Sequence, residues 1–151
     1  MRFMDITVKV DKSLLTIAEE LEDNLKEAIK QATLEVKEEV LDNIRRGYEK
    51  LNYPPISESY RKQLERKGLL PHVGLISPRE DKKKLEKSIS HSFRRGGLVG
   101  VIKTSRPYAI FVEEGTRKMP ARPFFRPALE KKKDRVEELI KKAIEDALEG
   151  Q

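Results

Sequence analysis

A chain of 151 residues with 37% hydrophobic and 38% charged side chains can bury one modest core beneath a heavily charged surface. The absence of cysteine excludes disulfides and thiolate metal sites, and no run of about 18 apolar residues is present to suggest a membrane span. Its net charge of +6 is uneven: residues 1–52 hold 9 basic and 12 acidic groups, 53–129 hold 17 and 7, and 130–151 hold 6 and 7. The positive excess therefore sits in the middle, where it could attract phosphate or an acidic protein face.

From the N-terminus, Met1-Arg2-Phe3-Met4-Asp5 lacks the apolar core of a signal peptide, so synthesis in the cytoplasm is expected. Met4, Ile6, Val8 and Val10 alternate with Asp5, Thr7 and Lys9, which predicts a strand with one buried face. Asp11 or Ser13 can cap the helix that follows. Leu14, Ala18, Leu21, Leu25, Ala28 and Ala32 recur at spacings of three and four, and Val36, Val40, Ile44 and Tyr48 continue the stripe after a one-residue slip. The pattern predicts one helix from about residue 13 to about residue 50, on the order of 55 Å long. Two helices broken near Thr33 are the alternative. A helix of that length exceeds the width of so small a domain, so part of it is expected to project or to pack on a neighbouring subunit.

Tyr53-Pro54-Pro55 ends the helix. Residues 53–84 form a connecting segment in which Ser57–Lys67 reads as a short helix, with Ser57 as cap and Gly68 as stop. Leu69, Leu70, Val73, Leu75 and Ile76 have no clean period, which suggests a loop lying partly on the core or rearranging on assembly. Lys87–Arg95 alternates like a strand, Gly96-Gly97 signals a hairpin turn, and Leu98–Thr104 returns as a second strand. Pro107 fits the first turn of a short helix through Glu114, with Gly115 as a left-handed stop. Pro127 fits position one of a last helix, whose buried face would carry Leu129, Val136, Leu139, Ile140, Ala143, Ile144 and Ala147. The expected fold is α+β, one domain over 1–151: a small antiparallel sheet packed by a long N-terminal helix and a C-terminal helix.

The most informative stretch is Tyr108–Leu129. Pro120, Pro123 and Pro127 bracket Phe124 and Phe125, and each proline fixes φ and removes a donor, so the path of the chain is nearly set. That path carries Arg117, Lys118, Arg122 and Arg126 beside two rings. Stiff arginine and aromatic groups outside regular elements make a docking surface. Phe124 reads as core, and Phe125 as either core or an anchor in a partner.

Tyr108-Ala109, then Val112-Glu113-x-Gly115-Thr116, then Met119-Pro120-Ala121-Arg122-Pro123-Phe124-x-Arg126-Pro127-Ala128 resembles the neck and tail-component proteins of long-tailed bacteriophages. The likeness extends more loosely through Leu85–Ser105. It departs where such proteins often carry a Thr-Gly-x-Leu turn, because Ser77-Pro78-Arg79-Glu80-Asp81 stands there. The resemblance implies a structural virion protein for head–tail joining or tail completion. It would self-associate into a ring, contact other neck or tail proteins, and face DNA in the channel. It marks Glu113, Gly115 and Thr116 as signature residues with no catalytic role.

The residues give no sign of an enzyme or a cofactor. His72 and His91 lack a second ligand at helical metal spacing. Glu113 and Glu114 are adjacent and diverge on a helix, so Glu113 is better read as binding an arginine or a backbone donor and fixing the Gly115 turn. Ser88, Ser90 and Ser92 share one strand face, most simply towards solvent. The alternative function is a small basic nucleic-acid-binding protein that uses Arg94, Arg95, Arg106, Arg117, Lys118, Arg122 and Arg126 on phosphates, with Tyr108, Phe124 and Phe125 stacking on bases.

Overall fold

The computed structural model describes residues 12–70 and 85–150. The strand expected over Met4–Val10, His72, and the 71–84 part of the connecting segment lie outside the described residues. Six elements are labelled here: α1 (Lys12–Lys50), α2 (Glu58–Arg66), β1 (Ile89–Arg94), β2 (Val99–Thr104), α3 (Ala109–Glu114) and α4 (Phe125–Glu149). The fold is α+β, as the periodicities indicate.

α1 runs unbroken past Thr33, so the single-helix reading holds. Its one irregularity is Arg46 (φ −130°, ψ 21°), a turn before its end. The core of α1 is a series of five residues spaced four apart, Ala28, Ala32, Val36, Val40 and Ile44. Leu14 and Leu15, at 57% and 56% exposure, overhang that core. α2 begins where expected: the Ser57 hydroxyl accepts from the Tyr60 N–H, and Gly68 follows the helix at φ +64°.

β1 and β2 form a two-stranded antiparallel sheet, Ile89 opposite Thr104 and Arg94 opposite Val99, joined through a tight turn at Arg95–Gly97. The sheet lies against α1 at Gly100, where a Cβ would stand 1.8 Å from Thr33 Oγ1. Only a residue without a side chain lets strand and helix approach so closely. Ser88 corrects the serine-face reading. It lies in a helical turn before β1, and its hydroxyl donates to the Leu85 carbonyl and meets Thr104 Oγ1 at 2.6 Å.

α4 packs antiparallel along α1. Asn24 Nδ2 donates to the Ala143 carbonyl, Arg135 pairs with Glu35, and Lys131 pairs with Glu39. The face it buries is the expected one shifted at its edges: Leu139, Ala143 and Ala147 are inside and Val136 packs on the core as expected. Ala128 is also inside, whereas Leu129 and Ile144 are 58% and 39% exposed. Small alanines let two long helices approach closely, and α1 supplies Ala28 and Ala32 opposite Leu139 and Ala143. A second cluster gathers Val36, Val40, Ile44, Leu85, Ile89, Ala109, Phe124 and Ala128, so the three chain segments that carry the candidate site share one core.

Candidate functional site

The chain leaves α3 at Gly115, whose φ is +78° and ψ 176°. This is a positive-φ stop but an extended one, not the left-handed helical stop expected. The loop folds back over it, so that a Cβ on Gly115 would lie 2.7 Å from the Ala121 nitrogen. Thr116 then builds a tight turn. Its N–H donates to the Met119 carbonyl at 2.8 Å, and its hydroxyl accepts from the N–H groups of Lys118 and Met119. Arg117 and Lys118 occupy the tip. The Arg122 N–H closes the loop onto the Val112 carbonyl at 2.8 Å.

Glu113 fixes the far end of the loop. One carboxylate oxygen accepts from the N–H of Phe124 (2.7 Å) and Phe125 (3.0 Å), and the other from Arg126 (2.9 Å). The sequence reading expects Glu113 to bind an arginine or a backbone donor and to fix the Gly115 turn. Its partners are backbone donors, but they belong to the first turn of α4. Consequently α4 starts at Phe125, two residues before Pro127, which therefore does not hold position one.

α1 and the chain just beyond it hold the loop from the other side. Asn43, fully buried, donates from Nδ2 to the Phe124 carbonyl at 3.0 Å, and the Tyr53 hydroxyl donates to the Pro123 carbonyl. Lys50 Nζ donates to Asn43 Oδ1 at 3.1 Å and pairs with Glu39 and Asp42. Burial raises the Glu39 carboxyl, but hydrogen bonds from Lys50 and Lys131 outweigh it and hold it below the usual range. Asp42 is lowered by the hydrogen bond from Lys50. Burial would lower the Lys50 ammonium, yet bonds to Asp42 and Glu39 leave it raised. Tyr53 is pushed up by burial and by the nearby Glu113 charge. Sequence reasoning missed Asn43, Lys50 and Tyr53. The available signal was one amide, Asn43, set inside the apolar stripe between Val40 and Ile44.

The cations divide into two sets. Arg122 turns inward, its guanidinium carbon 5.7 Å from the Tyr48 ring centroid and its Nε buried without a hydrogen-bond partner. Phe125 is half-buried, packs on the core and lies 4.9 Å from the Phe124 ring, while Phe124 itself is fully buried. Arg122, assigned to the docking surface, and Phe125, read as either core or anchor, therefore both contact their own chain, because the Glu113 cap and the Asn43 bond hold this end of the loop onto α1. Arg117, Lys118 and Arg126 are exposed and form no ion pair among the described residues. Beside them, Ile110 and Phe111 on α3 are 56% and 54% exposed, an apolar pair that the sequence reading did not single out.

Among the described residues no group of three or more His, Cys, Asp or Glu side chains could hold a metal ion. No helix among them is long and apolar enough to cross a membrane. His91 Nδ1 lies 3.2 Å from Lys37 Nζ on an exposed face.

The chain is 33% identical over 128 residues to a protein of Methanocaldococcus jannaschii named "Uncharacterized protein MJ0331", a match that covers 79% of this chain and 89% of the relative. No protein-family model matches the chain. No solved structure matches it at a significant level.

Proposed function

The chain belongs to the family of MJ0331 of Methanocaldococcus jannaschii, and for it we propose a structural role in assembling a phage or prophage virion, at the neck or the tail end. The observation that supports this reading is a loop tied down at both ends that turns Arg117, Lys118 and Arg126 outward beside exposed Ile110 and Phe111. Cations around an apolar pair, held by backbone hydrogen bonds, suit the capture of a protein face and need no bond chemistry. Copies would associate head to tail into a closed ring. The exposed acidic residues of the N-terminal part of α1, Glu19, Glu20, Glu22 and Asp23, offer a face of opposite charge to the loop cations.

Sedimentation of the full chain, with electron microscopy of the sedimenting species, tests the reading. Rings that dissociate when Arg117, Lys118 and Arg126 are changed together to alanine support it. A strict monomer that instead binds duplex DNA with a steep salt dependence overturns it in favour of a nucleic-acid-binding protein.

A further inference from the structure

The two ends of the α1–α4 pair are chemically opposite. α4 stops level with Glu20: a Cβ on Gly150 would stand 3.7 Å from a Glu20 carboxylate oxygen, so the first two turns of α1 run on past it. At this end Leu14, Leu15 and Leu148 are all more than half exposed. Residues 13–23 hold four acidic groups and 144–149 hold three, with no lysine or arginine in either stretch. Lys26 and Lys141 pair with Glu22 and Glu145, so Glu19, Asp23 and Glu149, all exposed, are the carboxylates placed for a partner. Helical spacing sets acid beside leucine, because Glu19 lies one turn on from Leu15 and Leu148 lies one turn on from Glu145.

The other end has the same layout with the charge reversed. Ile110 and Phe111 form its exposed apolar pair, and residues 115–129 hold four cations and no Asp or Glu. Arg117, Lys118 and Arg126 are exposed, against one exposed carboxylate on α3, Glu114. One copy cannot bring the two ends together. Ala109 of α3 shares its core cluster with Val36, Val40 and Ile44 of α1. The nearest of these, Val36, is 21 residues beyond Leu15, about 31 Å along the helix axis and well beyond the reach of a side chain.

We infer that the acidic end of one copy, with Leu14, Leu15 and Leu148, seats on Ile110 and Phe111 of a second copy, and that Glu19 and Asp23 meet Arg117 and Lys118 there. The inference rests on the ring reading and names the two faces of its contact. Apolar groups at the centre supply affinity, and opposite charges at the rim fix the register. Each copy offers both faces, so the contact runs head to tail, and its rotation decides whether the assembly closes.

Charge reversal in the full chain tests this. One variant carries Arg117→Glu and Lys118→Glu, which puts acids at both ends. The other carries Glu19→Lys, Asp23→Lys and Glu149→Lys, which puts cations at both. Thermal melts check that each folds, as exposed positions allow. In sedimentation each variant alone should show a dissociation constant for self-association at least tenfold above that of the parent chain. An equal mixture of the two should assemble again, with copies alternating. Phe111→Ser should weaken association of the parent by a similar factor through the apolar contact. A mixture that associates no better than its components overturns the inference, and so does an unchanged constant for Phe111→Ser. If the parent self-associates and both charge variants do so equally well, the faces are wrong and the ring reading stands. If the parent stays monomeric at every concentration, both fall.

Discussion

Glu113 and Pro127 between them account for the four backbone positions that open α4. An α-helix begins with four N–H groups that have no partner inside it. Here the Glu113 carboxylate takes those of Phe124, Phe125 and Arg126, and Pro127 has no N–H to satisfy. A negative charge at this end also opposes the positive end of the helix dipole. The cap comes from another helix, so it welds α3 to α4 and sets the shape of the loop between them.

Glu113→Ala should therefore cost about 3 kcal/mol, since three charge-assisted acceptors vanish and part-buried donors are left unmet. Glu113→Gln keeps one acceptor oxygen and should lose less. Urea denaturation of both variants at neutral pH measures the difference. Equal stability of Glu113→Ala and the parent chain would mean that the cap contributes nothing.

Arg122 and Arg117 should separate fold from assembly. Arg122→Ala removes a guanidinium packed on Tyr48 and should lower stability by about 1 kcal/mol. Arg117→Ala lies at the exposed loop tip and should change stability by less than about 0.5 kcal/mol while weakening self-association. Thermal melts and light scattering on the same samples read both quantities.

Gly100→Ala should destabilise the chain by about 1–3 kcal/mol, because the new methyl collides with Thr33 Oγ1. Pairing it with Thr33→Ala removes the colliding hydroxyl and should recover part of the loss. A double-mutant cycle by chemical denaturation checks this, and strict additivity would show that the two residues do not press on each other.

The Lys50 cluster should shape the pH dependence of stability. Glu39 and Asp42 are lowered in the fold, so their contribution is complete above the unfolded carboxylate values of about 4 and is lost as pH falls through the lower folded values. Lys50 is raised, so its contribution is complete below the ordinary lysine value and is lost as pH rises through its higher folded one. Lys50→Met should flatten both limbs and cost about 3 kcal/mol at pH 7, because Glu39, 10% exposed at its side chain, loses its closest partner. Stability measured across pH would show whether the limbs persist in the variant.

Among the described residues, the sequence alone determined the main elements and their order. The run of α1 through Thr33, the Ser57 cap, the turn at Gly96-Gly97 and the buried Phe124 all rest on periodicity and turn chemistry, which act over a few residues. The tertiary structure alone decided where α4 begins, which edge of its apolar face is left exposed, and which loop cations stay outside. Those outcomes depend on groups distant in sequence: Glu113 reaching Phe124, Asn43 reaching the Phe124 carbonyl, and Tyr48 meeting Arg122. Helical spacing placed Leu129 and Leu139 together on one apolar face. Only the close alanine contact between α1 and α4 decided that Leu139 goes inside and Leu129 remains outside.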